Sequence, residues 1–112
     1  MNARILVADD DEQVRDVLRD ALTGFGCQVS LSVDGDQALA AIQKGPYDVI
    51  FVDYRMPGVD GMEILERARA LSPDSAVVLI TGEGSEQVAR DAFKLGAFDY
   101  VTKPLRKIHD LE

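Results

Sequence analysis

The sequence has few of the residues that form disulfide frameworks or thiol-based catalytic sites. It contains one cysteine, Cys27, and one histidine, His109. A lone cysteine cannot form an internal disulfide framework, so we expect a buried structural thiol and a reducing, cytoplasmic environment. The histidine lies near the opposite end of the chain, which argues against a cysteine–histidine catalytic pair. The N-terminus leads directly into a strand-like segment and has no signal-peptide layout.

Long apolar runs and an excess of basic residues are also missing. No apolar stretch approaches the ~20 residues that cross a bilayer, so no membrane association is expected. The chain has 12 Lys and Arg against 20 Asp and Glu, a formal charge of −8. Because phosphate binding needs a basic surface, we expect no direct nucleic-acid binding. The acidic excess is compatible with cation binding where several carboxylates converge.

Strand-like and helix-like segments alternate along the 112 residues, which are enough for a single domain, 1–112. Continuous apolar runs at 5–8, 49–52 and 76–80 predict strands that are buried on both faces. Residues 29–33 alternate and residues 98–101 are mixed, which is typical of edge strands. Helical spacing of apolar residues predicts a helix after each of the first four strands. Glycine or proline ends each of these helices: Gly24 and Gly26, Gly45 and Pro46, Pro73, and Gly96.

This order predicts a doubly wound α/β domain of the flavodoxin-like type. Five (βα) units form a parallel sheet with helices on both faces, and two edge strands fit the strand order 2-1-3-4-5. Only eight residues follow Pro104, so the fifth helix is expected to be short or truncated. Ligands of such sheets bind beyond the carboxyl ends of the strands, at the switch point between strands 1 and 3.

Polar residues follow four of the strands at this edge. They are Asp9 and Asp10, then Asp53, then Thr81 and Gly82, and finally Thr102 and Lys103. Each has an ordinary explanation when taken singly, as a helix cap, a strand-end hydroxyl or a solvated lysine. Together, converging carboxylates would raise a pKa or recruit a counter-charge from Lys103 or a divalent cation such as Mg²⁺. Gly82 would leave space for a phosphate beside Thr81, whereas Asp60 is interpreted as a helix cap.

The chain resembles the receiver domain of bacterial two-component response regulators over essentially its whole length. Four segments carry the resemblance: ILVADDDEQVR, DVIFVDYRMPGVDGMEIL, VVLITGEG and GAFDYVTKPL. The resemblance implies that Asp53 accepts a phosphoryl group from a sensor histidine kinase or a histidine phosphotransfer protein. It also implies a regulatory domain that is not an enzyme, assists its own phosphorylation and dephosphorylation, and controls an output domain or partner. By the same resemblance, the chain is expected to be a fragment of a longer protein whose effector region is absent.

Roles for the metal site follow from the same resemblance. Asp10 and Asp53 would bind Mg²⁺ or Mn²⁺ directly, and Asp9 would act through water. The backbone carbonyl of Arg55 would be the third protein ligand.

The resemblance also implies a switch. Thr81 would move toward the phosphoryl group, Gly82 would contact it, Lys103 would pair with it, and the bond between Lys103 and Pro104 would be cis. Tyr100 would change rotamer with Thr81, although an ordinary half-buried strand aromatic is the alternative interpretation. Homodimerisation through helix 4, strand 5 and helix 5 is a further expectation.

Three other functions fit parts of the pattern. A phosphatase similar to the haloacid dehalogenase family would also form an aspartyl phosphate, but it carries an acid at the position of Arg55 and needs a substrate cap. A flavin- or nucleotide-binding module would need a glycine-rich loop after strand 1, where this chain has acids. A degenerate receiver that only binds partners is disfavoured by the intact acceptor, acid pair and lysine.

Overall fold

The computed structural model describes residues 2–82 and 86–103, in which strands and helices alternate. The elements are β1 (Arg4–Ala8), α1 (Glu12–Gly24), β2 (Gln28–Ser32), α2 (Gly35–Lys44), β3 (Val49–Asp53), α3 (Gly61–Leu71), β4 (Ala76–Thr81), α4 (Glu86–Lys94) and β5 (Asp99–Thr102). The strands form one parallel sheet in the order β2-β1-β3-β4-β5. The predicted α/β class, strand order and edge positions of β2 and β5 are confirmed. The predicted fifth helix and the cis bond to Pro104 lie outside the described residues.

The sheet separates two apolar layers, which explains the continuous apolar runs of its central strands. One layer contains Leu6, Ile50 and Leu79 and is covered by α2, α3 and α4. Alternate residues of the same strands, such as Ile80, face the opposite layer together with Leu18 of α1. Successive side chains of a strand point to opposite faces of the sheet, and apolar layers cover both faces. Residues 5–8 of β1 and 77–81 of β4 are therefore all buried.

Cys27 corrects one expectation. The thiol-bearing residue lies between α1 and β2, at the edge of the layer that α1 covers, and it is only partly buried. Cys27 directly precedes β2, an edge strand that pairs, among the described elements, only with β1. The Cys27 side chain is therefore left partly open to solvent on the outer side of the sheet. Within the described ranges, no helix is both long enough and apolar enough to cross a bilayer.

Aspartates cap the helices that start at the carboxyl edge of the sheet. The side chains of Asp11, Asp34 and Asp60 each accept a hydrogen bond from a backbone N–H in the first turn of α1, α2 and α3. Such caps satisfy N–H groups that have no partner within the helix. The predicted capping role of Asp60 is confirmed, and these caps fix where the loops of the candidate site begin and end.

Candidate functional site

Three aspartates converge at the carboxyl edge of the sheet. Pairing of Ala8 with Val52 aligns the ends of β1 and β3, so that Asp9 follows one strand beside Asp53 at the end of the other. One carboxylate oxygen from each of Asp9, Asp10 and Asp53 lies within 4.8 Å of the other two. Asp9 and Asp53 are 0% and 3% exposed, whereas Asp10 is exposed to solvent. The structure therefore brings together the acidic residues that the sequence singled out.

A single lysine reaches both buried carboxylates. Lys103 Nζ lies 3.2 Å from Asp53 Oδ2 and 3.3 Å from Asp9 Oδ2. The backbone N–H of Lys103 donates to the Thr81 carbonyl at 2.8 Å, which holds the end of β5 against the end of β4. Strand pairing thus directs the ammonium toward the acids, as the predicted strand order requires.

The site has less positive than negative charge, and the pKa values reflect this. Burial, followed by the charge of Asp9, raises the pKa of Asp53 to about 7, although Lys103 and the backbone N–H of Arg55 oppose the shift. Burial lowers the pKa of Lys103, but the charges of Asp9 and Asp53 and the hydrogen bonds to them outweigh that effect and raise it overall. Near neutral pH, Lys103 is therefore protonated, while Asp53 is divided between its protonated and ionised forms.

The carboxylates have the character of a cation site. Asp9 Oδ2 is buried and, among the described residues, accepts no hydrogen bond; the nearby Lys103 Nζ donates instead to Asp9 Oδ1 at 3.4 Å. A buried charged oxygen without a donor is costly. Two further carboxylates, from Asp10 and Asp53, lie within reach of it. An all-oxygen set of this kind suits Mg²⁺ or another hard divalent cation, so the residues present fit the predicted metal.

A cavity of about 370 Å³ opens beside the Asp53 carboxylate. Its lining includes Asp53, Tyr54, Arg55, Thr81, Gly82 and Lys103. A Cβ atom placed on Gly82 would meet no atom within 4 Å, so the space next to the buried Thr81 is open, as predicted. The Arg55 guanidinium lies over the Tyr54 ring, 5.2 Å from its centroid. The Arg55 backbone N–H donates to Asp53 Oδ1 at 3.3 Å. Arg55 thus contacts Asp53 through its N–H, in addition to the metal-ligand role that was predicted for its carbonyl.

Tyr100 is set apart from this cavity. It pairs with Leu79 in the sheet, two residues before the pairing of Thr81 with Thr102. Its half-buried ring contacts Phe93 of α4 edge-on, with 6.1 Å between the ring centroids. Tyr100 therefore lies between the site and the α4 surface, whereas Pro104 lies outside the described residues.

The sequence interpretation overlooked Arg15 and Gly61. Arg15 Nη1 donates to the backbone carbonyl of Asp9 at 2.8 Å. A Cβ atom on Gly61 would overlap the carbonyl oxygen of Asp53. Both residues lie within the segments that carry the resemblance, but neither was given a role. Arg15 falls one helical turn after the capping Asp11, which places it above the acidic loop.

Comparison with known proteins agrees with this geometry. The family model "Response regulator receiver domain" matches residues 5–111. Transcriptional regulatory protein ZraR of Escherichia coli K12 is 38% identical over 104 residues, which cover 93% of this chain and 24% of ZraR. The chain thus spans about a quarter of the length of this curated relative.

Two solved structures extend the comparison. A CheY-like receiver domain protein from Methanospirillum hungatei superposes with a TM-score of 0.91 at 29% identity, over 99% of this chain and 88% of that one. A Burkholderia pseudomallei response regulator, solved with a phosphorylated aspartic acid, calcium ion and citrate, has a TM-score of 0.89 at 27% identity, over 98% and 64% of the two chains. The chain belongs to the response regulator receiver domain family.

Proposed function

We propose that this domain receives a phosphoryl group on Asp53 as part of a two-component signalling system. The observation that carries the proposal is the convergence of Asp9, Asp10 and Asp53 beside the Lys103 ammonium. Formation of an aspartyl phosphate needs a positioned carboxylate and positive charge for the phosphoryl oxygens. The open cavity at Asp53 gives a donor access. The phosphorylated aspartic acid of the Burkholderia pseudomallei relative supports the same chemistry.

The donor is a phosphohistidine of a sensor histidine kinase or histidine phosphotransfer protein, or a small acyl phosphate. A carboxylate oxygen of Asp53 attacks phosphorus, the bond from phosphorus to the donor breaks, and the electron pair of that bond stays with the donor. Lys103, already 3.2 Å from Asp53 Oδ2, then pairs with the phosphoryl oxygens. The domain is a regulator rather than an enzyme with a separate substrate, and these residues assist its own phosphorylation and dephosphorylation.

Asp10 and Asp53 would hold the cation directly, Asp9 would act through water, and the Arg55 carbonyl would be the third protein ligand. A bound Mg²⁺ or Mn²⁺ would neutralise negative charge on the transferring group. Asp9 Oδ2, which accepts no hydrogen bond from the described part of the chain, and its two carboxylate neighbours support a cation at this site.

Phosphorylation is expected to bias a two-state equilibrium through Thr81 and Tyr100. The buried Thr81 hydroxyl moves toward the phosphoryl group, which also contacts the Gly82 N–H. Tyr100 follows and alters its contact with Phe93 on α4. The changed surface of α4 and β5, with the segment that follows, then serves an output domain, a cytoplasmic partner or a second copy of the chain.

Intact mass after incubation with acetyl phosphate and Mg²⁺ tests the proposal. Wild type should gain the mass of one phosphoryl group, and Asp53→Asn should gain none because its amide is not a nucleophile. Omission of the divalent cation should also abolish the gain. Wild type that stays unmodified with several phosphodonors in the presence of Mg²⁺ would refute the assignment.

A further inference from the structure

Arg15 occupies a position that its own helix does not favour. It is the fourth residue of α1, close to the positive end of the helix dipole, where an acidic side chain is the stabilising choice. Its guanidinium nevertheless turns back toward the loop before the helix, and Nη1 donates to the Asp9 carbonyl at 2.8 Å. This hydrogen bond joins α1 to the peptide group between Asp9 and Asp10.

The backbone around Asp9 is held from several directions. The Asp9 N–H donates to the Ser32 carbonyl at 3.1 Å, which fixes the residue to β2. Asp9 Oδ1 accepts from the Asp11 N–H at 2.8 Å, which closes the loop on itself. Arg15 supplies the side-chain contact to the Asp9 carbonyl. Because the Asp10 carboxylate is exposed, its location depends on this backbone rather than on burial.

We propose that Arg15 is a positioning residue for the divalent cation. Its hydrogen bond to the Asp9 carbonyl keeps the peptide between Asp9 and Asp10 in place, so that both carboxylates converge with Asp53. The inference rests on the proposed cation-dependent function. Residues that orient metal ligands without touching the metal commonly change metal affinity by about 10–100-fold when they are removed.

Positioning and simple electrostatics predict opposite results for the loss of Arg15. A guanidinium near an acidic site repels a cation, so removal of its charge alone should tighten Mg²⁺ binding. Loss of the hydrogen bond should instead free the loop and weaken binding. The direction of the change therefore distinguishes the two roles without any measurement of phosphorylation.

The test is equilibrium binding of Mg²⁺ to the metal-free protein, measured by competition against Tb³⁺ luminescence excited through the tyrosines. Arg15→Met should weaken Mg²⁺ binding by about tenfold. Arg15→Lys keeps a donor and a charge, so its affinity should lie nearer that of wild type. Arg19→Met is the matched control, because it removes the same charge one turn further along α1, where Arg19 forms an exposed ion pair with Asp16 at 3.2 Å.

Unchanged or tighter binding by Arg15→Met, or equal weakening by Arg19→Met, would overturn the positioning role. Thermal unfolding without metal identifies variants that are generally damaged. If Arg15→Met does not fold, Arg15→Gln replaces it with the same expectation, since its side chain is too short to reach the carbonyl. Wild type that binds no Mg²⁺ would overturn the proposed function and this inference together, whereas wild-type binding with unaffected Arg15 variants overturns the inference alone.

Discussion

At the scale of single residues, the central feature is one ammonium shared between two buried carboxylates. Lys103 lies within 3.3 Å of both Asp9 and Asp53, and the exposed Asp10 adds a third negative charge nearby. Coulomb repulsion between unit charges 4 Å apart is about 4 kcal/mol at an effective dielectric of 20. Burial of Asp53, followed by repulsion from Asp9, raises the pKa of Asp53 to about 7. A divalent cation at this site would therefore compete with a proton for the Asp53 carboxylate.

The raised pKa of Asp53 makes stability depend on pH. Between the ordinary value of 3.8 and about 7, the folded state binds more protons at this residue than the unfolded state. Its contribution to the free energy of unfolding therefore falls as the pH rises through that window. In EDTA, the stability advantage of Asp53→Asn over wild type should grow between pH 5 and pH 8 by on the order of 2 kcal/mol. Urea unfolding at the two pH values measures the change.

Asp16→Asn is the control for this titration. Asp16 lies on the exposed side of α1, where it pairs with Arg19. Its stability difference from wild type should stay nearly constant over the same pH range, because exposed ion pairs contribute little. An Asp53→Asn advantage that is equally flat would contradict the raised pKa.

Removal of the shared ammonium should have a larger effect. Lys103→Met leaves two buried carboxylates without their cation, and loss of one partner from a buried pair costs on the order of 3 kcal/mol. The loss should be greatest at pH 8 and smaller at pH 5, because protonation of a carboxylate relieves it. Urea unfolding of Lys103→Met and of the exposed-helix control Lys94→Met checks this, and equal effects of the two variants would count against the ion pair.

At the scale of elements, α3 begins directly against the end of β3, the strand that ends in Asp53. The Gly61 N–H donates to the Tyr54 carbonyl at 3.1 Å, and a Cβ on Gly61 would overlap the Asp53 carbonyl oxygen and approach Tyr54 Cα to 2.7 Å. The absence of a side chain at the start of α3 therefore lets the helix pack on the peptide between Asp53 and Tyr54. This contact sets where the loop between β3 and α3 returns to the core.

Gly61→Ala should destabilise the protein for this reason. Backbone atoms cannot move aside as a flexible side chain can, so we expect a loss of about 1–3 kcal/mol in the free energy of unfolding. Gly24→Ala is the matched substitution, because a Cβ at the end of α1 meets nothing within 4 Å. It should leave stability unchanged or raise it by about 0.4–1 kcal/mol. Chemical unfolding of both variants measures these free energies. An unchanged free energy of unfolding for Gly61→Ala would contradict the close approach of Gly61 to the Asp53 carbonyl.

Element types and their order were predictable because burial leaves a regular pattern in the sequence: continuous apolar runs for strands buried on both faces, and periodic apolar residues for edge strands and helices. The apolar runs of β1, β3 and β4 and the alternation of β2 reflect central and edge positions in the sheet. Strand order in turn predicted that Asp9, Asp53 and Lys103 meet. Contacts of individual side chains leave no such pattern in the sequence. The hydrogen bond from Arg15 to the Asp9 carbonyl, for example, depends on the Arg15 rotamer and on the path of the loop after β1.

At the scale of the whole molecule, an acidic chain concentrates negative charge where its helices start. The formal charge is −8, and Asp11, Asp34 and Asp60 cap α1, α2 and α3 at the same edge that holds the site. Helix N-termini offset part of this charge, because their partial positive ends also point to that edge. Salt screens exposed charges over about 10 Å at 0.1 M, so general screening and specific cation binding must be separated experimentally.

Mg²⁺ should raise the thermal stability of the whole domain through its site. A ligand that binds only the folded state stabilises it by about 2.7 kcal/mol at 100 times its dissociation constant, which corresponds to a shift of several degrees in Tm. We expect this shift in wild type when ionic strength is held constant with NaCl. Asp10→Asn should reduce the shift, while the metal-free Tm stays the same or rises, because Asp10 is exposed and its neutralisation relieves repulsion from Asp9 and Asp53. Equal shifts in both proteins would mean that Mg²⁺ acts by screening the net charge, and not through the three carboxylates.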